Sequence, residues 1–384
     1  MLIKNANIYT KNGEVIKNGY IYIEGQIIAQ VGIMDDMLGI SDDIIIDAKG
    51  MTAFPGFIDA HCHLGIIENG QGIVDSDLNE KIGNITPQLR VLDAINPCDR
   101  SFKDALKNGI TSVVVSPGSA NPIAGQLVAM KTYGHRIEDM IIKEPLAIKF
   151  ALGEDPKKGV FTKSSTRMGV ASEIREQLHK AKRYMNEISY SESEEGYSEP
   201  VFDFKCESLI PLLHKKIQAH FHAHRADDIF TAIRIAKEFS LDYVIIHGTE
   251  GYMIAEDLYR EGCRIVAGPM IATRSKQEIK NLSKNNPSKL VKEGVEVAIS
   301  TDYPITPIEY LTLSAAIAVN AGMDKIEALK SITINPAKIC GLDDRIGSIE
   351  VGKDADIVLF EKDPLLLGSV PQIVIIDGKQ VGVE

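Results

Sequence analysis

The chain has few cysteines and nowhere that they pair. Cys62, Cys98, Cys206, Cys263 and Cys340 are scattered over 384 residues, an odd number with no Cys-x-x-Cys among them. A disulfide framework or a zinc knuckle would need a different spacing, so reduced thiols and a cytoplasmic setting are expected. Basic blocks are also missing. With a formal net charge of −11, nucleic acid and anionic membrane surfaces are poor partners. No apolar run is long enough to span a bilayer, and the opening "MLIKNANIYTKNGEVIKNG" lacks the apolar core of a signal peptide. No glycine-rich phosphate loop follows a first strand, which weighs against a doubly wound nucleotide-binding sheet. What remains is ordinary for a soluble globular protein, 44% hydrophobic and 25% charged, and long enough for one large domain plus a small one.

Both ends of the chain are rich in β-branched residues and tyrosine, broken by Asn-Gly, Glu-Gly and Asp-Gly turns: "VIKNGYIYIEG" near the start, "DADIVLFEKD" and "QIVIIDGKQV" near the end. These predict one small sheet domain assembled from both chain ends, residues 1–54 and 343–384. The middle alternates. "FKDALKNGITSVVVSPG" reads as helix, terminating glycine and buried strand, and "KIQAHFHAHRADDIFTAIRIAKEFSLDYVIIHG" as strand, helix, strand. Repeated units of this size imply parallel strands with helical crossovers, and residues 55–342 are long enough for a (β/α)8 barrel. The acidic, serine-rich stretch "EISYSESEEGYSE", residues 187–199, is expected to be a solvated loop insertion.

Polar residues fall where the apolar strands end. "PGFIDAHCHLG" places Asp59, His61 and His63 on one strand face, with Cys62 turned away. "QAHFHAHR" carries His220, His222 and His224, "YVIIHG" ends in His247, and "VAISTD" in Asp302. Lys149 and Glu154 lie in "AIKFALGE". Each histidine alone is more often a structural core residue than a ligand. Imidazoles and a carboxylate at the ends of separate barrel strands make a divalent metal site, suited to Zn²⁺ or another first-row ion.

These motifs, with "ITINPAKICGLDDRIGSIEVGKDADIVLF" near the end, resemble those of the amidohydrolase superfamily, closest to its imidazolonepropionase-related members. The resemblance covers nearly the whole chain and is weakest from about residue 155 to 215. It implies that the small sheet domain is a β-sandwich and that His61 and His63 bind the more buried of one or two ions, Zn²⁺ first, with Fe²⁺, Mn²⁺ or Co²⁺ compatible. It further implies that His222 and His247 are ligands and that Asp302 contacts both metal and water. His222 begins a His-Ala-x-x run that matches the family's middle-strand ligand. His224 then lies towards the substrate and His220 deeper, as a hydrogen-bonded core residue. For a bridging ligand the candidates are Glu154, at a strand end, Lys149, which looks too deep in its strand, and Lys131; Glu154 is preferred.

The resemblance also implies a chemistry. A divalent ion lowers the pKa of bound water from about 15.7 towards 7, and Asp302 moves the proton from the nucleophile to the departing nitrogen. The product is a hydrolase of a C–N bond in a small molecule: a cyclic amide, an N-acyl group or a dipeptide. Deaminase members carry a glutamate three residues after the middle-strand histidine. Arg225 stands there instead, which weakens the deaminase alternative unless Glu250 takes that role. Arg225 either holds a substrate carboxylate or pairs with Asp227 or Asp228. A non-catalytic scaffold is the remaining alternative, disfavoured because the expected ligands are all retained. A homo-oligomer is left open.

Overall fold

The structure is a computed structural model that describes residues 1–37, 39, 42–70, 76–157, 165–193 and 198–382. The chain opens with β1 (Leu2–Tyr9), β2 (Val15–Glu24), β3 (Ile27–Ile33), β4 (Ile45–Asp47) and β5 (Thr52–Pro55). The barrel strands follow: β6 (Phe57–Cys62), β7 (Ile110–Val115), β8 (Ile123–Lys131), β9 (Ile141–Ala151), β10 (Gln218–Ala223), β11 (Tyr243–His247), β12 (Arg264–Ala267) and β13 (Glu296–Ile299). The end returns as β14 (Ile357–Phe360), β15 (Ile373–Ile376) and β16 (Lys379–Val381).

β6 to β13 pair in sequence order as one eight-stranded sheet that nearly closes on itself. At the join, the Asp302 N–H donates to the His61 carbonyl (3.2 Å) and the His63 N–H to the Tyr303 carbonyl (3.0 Å). The barrel departs from eight repeats of strand and helix. β8 is antiparallel to both β7 and β9, so "SPGSANPIAGQ" turns between two strands instead of leading into a helix. Helices cross over elsewhere, including Arg100–Lys107 between β6 and β7 and Ala226–Glu238 between β10 and β11. Strand alternation sets the layers. Phe150 and Phe221 stack outside the barrel at 4.8 Å, so Lys149 and His220, paired in register, point inward.

The strands of both chain ends form a second sheet, ordered β16-β15-β14-β5-β1-β2-β3 with β4 on β1. The chain passes from this sheet into the barrel at Gly56. A side chain there would lie 2.0 Å from Thr111 Oγ1, so glycine is required for the close approach of β7. Tyr9, Phe54, Phe57 and Phe360 pack at this junction with ring centroids 5.1–6.4 Å apart. Lys131 is buried there too, with Asp354 (2.9 Å), Asp356 (2.5 Å) and Asp377 (3.2 Å). Three carboxylates on one ammonium fix Lys131 as a tie between sheet and barrel, which removes it as a metal-bridging candidate.

The expected loop over residues 187–199 is also corrected. The helix Arg167–Ser193 runs through its first part, residues 194–197 lie outside the described residues, and Ser198–Asp203 is irregular. The serines that suggested a loop fold back onto the helix, Ser189 Oγ to the Met185 carbonyl (3.2 Å) and Ser193 Oγ to the Ser189 carbonyl (2.8 Å). Their competition with the backbone is thereby spent inside the helix. No helix among the described residues is long and apolar enough to cross a membrane.

Candidate metal centre

The carboxyl ends of the barrel strands surround a cavity of about 500 Å³ whose lining includes His61, His63, Lys149, His222, His247 and Asp302. At one end His61 Nε2 and His63 Nε2 lie 3.6 and 3.5 Å from Asp302 Oδ1. His63 Nδ1 sits 2.6 Å from the Ser116 carbonyl, and His247 Nδ1 2.9 Å from the Gly268 carbonyl. A carbonyl can only accept, so both rings carry their proton on Nδ1 and turn a bare Nε2 to the centre. His224 Nδ1 is fixed by Thr249 Oγ1 at 2.7 Å. His222 has neither nitrogen partnered among the described residues.

Burial keeps the rings of His61, His222, His224 and His247 neutral. It lowers His247 to about 4 and pushes His61, His222 and His224 well below the ordinary histidine value, helped in each case by neighbouring cations or rings. Burial alone would raise Asp302, but the His247 and His63 rings and the Lys149 ammonium beside it hold its carboxylate below its usual value. Neutral imidazoles beside an ionised carboxylate are the protonation states a metal needs.

Asp59 does not join the ligands. Its carboxylate accepts from the His61 N–H (3.2 Å), the Thr301 N–H (3.1 Å) and Thr301 Oγ1 (2.5 Å), which ties the first barrel strand to the last. This brace holds the turn in which Asp302 adopts a left-handed backbone, φ +54°. Cys62 faces away, its Sγ 3.6 Å from the Val114 carbonyl. His220 lies deeper, Nε2 3.2 Å from Gln218 Oε1.

The structure puts two expected residues elsewhere. Glu154 follows Gly153, whose φ of +94° turns the chain at the strand end. It exchanges hydrogen bonds with Glu278, its N–H donating to Glu278 Oε2 (2.7 Å) and its Oε2 accepting from the Glu278 N–H (3.3 Å). Among the described residues, three clusters of ligand atoms within 4.8 Å form: His222, His224 and His247; His61, His247 and Asp302; and Asp155, His222 and Glu278. Glu154 is in none of them. Lys149, which had looked too deep, reaches the centre because its four-carbon stem climbs along the barrel axis. Its Nζ is 3.2 Å from His61 Nε2.

Arg225 is the second displacement. It forms a two-pronged pair with Asp227, Nε to Oδ1 at 2.9 Å and Nη2 to Oδ2 at 3.0 Å, and it does not line the cavity. Glu250 is likewise engaged, accepting from the Ala226 N–H (2.9 Å) and Asn281 Nδ2 (2.8 Å). Sequence reasoning passed over Asp155, Lys276 and Glu278. No apolar strand runs directly into Lys276 or Glu278; both belong to the long loop after β12.

A parallel-rich barrel with bare imidazoles and an ionised aspartate at its strand ends defines a metal-dependent hydrolase. Residues 52–381 match the model of the Amidohydrolase family, and the chain belongs to that family, as an enzyme acting on C–N bonds other than ordinary peptide bonds. It is 42% identical to an amidohydrolase from Thermotoga maritima MSB8, whose solved structure matches with a TM-score of 0.94 over 99% of each chain. It is 28% identical to the imidazolonepropionase of Fusobacterium nucleatum subsp. nucleatum, over 91% of this chain and 87% of that one. It is 27% identical to the amidohydrolase tasK of Hapsidospora irregularis over 98% of this chain, and spans 42% of that relative's length.

Proposed function

We propose that this enzyme hydrolyses an amide-like C–N bond of a small molecule, such as a cyclic amide or an N-acyl group, at a centre for two Zn²⁺ ions. His61, His63 and Asp302 would hold one ion, and His222 and His247 the other. Lys149, as its carbamate, replaces Glu154 as the group between them. The observation that carries this reading is Lys149 Nζ at the floor of the cavity, 3.2 Å from His61 Nε2. Burial lowers this ammonium to about 8, so a neutral amine is accessible near neutral pH. The amine adds to CO₂ and releases one proton, leaving a carboxylate-like group beside the imidazoles, in addition to the carboxylate of Asp302.

A bound divalent ion supplies a Lewis acid and makes water acidic enough to attack near neutral pH. The protein does the rest. Asp302, ionised and braced by the Asp59–Thr301 contact, accepts the proton of the attacking water and passes it to the departing nitrogen. His224, in the cavity wall, meets the substrate. With Arg225 and Glu250 both committed elsewhere, hydrolysis is favoured over deamination. The terminal sheet is read as a small β-sandwich domain, residues 1–54 and 343–384, on a barrel of residues 55–342, and the five thiols as those of a cytoplasmic protein.

Metal analysis of wild type, Lys149→Met and Glu154→Gln tests the centre. Two ions per chain are expected in wild type and Glu154→Gln, and at most one in Lys149→Met. The reverse pattern would return the bridge to Glu154. A wild type that takes up no Zn²⁺ on reconstitution would sink the proposal.

A further inference from the structure

Beside His222 stands a set of side chains for which the reaction above has no use. Asp155 follows β9, and Glu278 lies in the loop after β12. Both converge on His222 Nε2, Asp155 Oδ2 at 3.6 Å and Glu278 Oε1 at 4.0 Å. His222 Nε2 and Glu278 Oε1 are buried and have no hydrogen-bond partner among the described residues. His222 is 3% exposed and Glu278 1%. Carboxylates gathered in a buried site are costly unless a cation joins them.

A cation is close by. Lys276 Nζ lies 2.5 Å from Asp155 Oδ2 and 3.9 Å from Glu278 Oε1. The same Asp155 oxygen accepts from Ser119 Oγ at 3.0 Å, and Glu278 Oε1 is 3.9 Å from His224 Nε2. Lys276 satisfies Asp155 but stops short of Glu278, and its side chain is 38% exposed, with solvent to swing into. The spacing has a counterpart in the same cavity. Asp302 lies 3.5 and 3.6 Å from His63 and His61, and atoms bound to one tetrahedral ion at about 2.1 Å are roughly 3.4 Å apart.

We propose that Asp155 and Glu278 are ligands of the ion that His222 holds, and that Lys276 occupies their neighbourhood only until that ion arrives. The proposal rests on His222 being a metal ligand, as inferred above. The second site is thereby a mixed imidazole–carboxylate site closed by two loops, one after β9 and one after β12. Lys276 acts as a competing cation that neutralises the carboxylates in the metal-free protein.

The test is Zn²⁺ binding to the whole protein, by stoichiometry and by competition with a chromophoric chelator. The proteins are wild type, Asp155→Asn, Glu278→Gln and Lys276→Met. Asp155→Asn and Glu278→Gln should each weaken the second ion at least about tenfold while the first ion stays. Lys276→Met should tighten the second ion, a gain that misfolding cannot imitate. Wild type with two ions, and all three variants unchanged, would overturn this inference and leave the two-ion reading standing. A single ion in wild type, insensitive to all three substitutions, would overturn both. Wild type with none would sink the metal reading of His222 on which the proposal rests.

Discussion

The two ends of the cavity are built from similar atoms and prepared in different ways. Around His61, His63 and Asp302 the protein does the positioning. His63 is pinned to the Ser116 carbonyl, and Asp59 binds Thr301 next to Asp302. Around His222 the ring has no partner for either nitrogen among the described residues, and the nearest carboxylates are shared with Lys276. The first end is organised before any ligand arrives; the second is organised around a cation. Catalysis depends on preorganised groups where charge and protons move. The proton-transferring aspartate therefore belongs at the rigid end, and exchange of cations at the other.

Removing the base should have the largest effect. Asp302→Asn keeps the side-chain volume and the left-handed turn, since asparagine tolerates that backbone. It removes the group that accepts the proton. A drop in kcat of about 10²–10⁴-fold is expected, with the thermal unfolding midpoint little changed. An activity within about tenfold of wild type would move the proton to another group and dissolve the functional contrast between the ends.

Acid should destabilise the metal-free protein through both ends at once. In metal-free protein, burial holds His247 at about 4 and His220 at about 3, against 6.5 for an ordinary histidine, and keeps His61, His222 and His224 well below it. Between pH 6.5 and 4 the unfolded chain binds more protons at these sites, so their stabilisation is full above 6.5 and lost as pH falls. Asp59 works the other way. Burial raises it to about 7, so its contribution is present below 3.8 and lost as pH rises through 7. Burial raises Glu278 to about 7 as well, and five imidazoles outweigh these two carboxylates. The urea midpoint of metal-stripped protein should fall from pH 7 to pH 5 by on the order of a few kcal/mol in stability. A rise would mean that the two carboxylates govern the balance.

The histidines were legible because strand alternation converts spacing directly into facing, and each closes an apolar run. Lys149 was misjudged for the same reason. Alternation gives the face a side chain points to, not how far a long one climbs, and Lys149 starts only two residues below Ala151, the end of its strand, a depth of about 7 Å that the lysine stem covers. Glu278 left no periodic signal, because its position depends on how a long loop folds back over Glu154. The antiparallel β8 was hidden too: "SPGSANPIAGQ" has the turn residues of a strand-to-helix loop, the expected reading, and does not announce the strand that starts at Ile123. The composite terminal sheet was visible because both chain ends carry the same turn-punctuated, β-branched pattern.

The smallest effect is expected at Arg225, at the end of β10 just beyond the His222–His224 pair. Its guanidinium faces outward onto Asp227, with a side chain 34% exposed. Asp227 is also held by Arg167, so losing one partner leaves the carboxylate paired. Exposed pairs of this kind contribute little, and Arg225→Ala should change stability by less than about 1 kcal/mol. KM should stay within about twofold for substrates with and without a carboxylate. A selective rise in KM for carboxylate substrates would show that Arg225 leaves Asp227 and reaches the cavity during turnover. The second end would then organise around an anion as well as a cation.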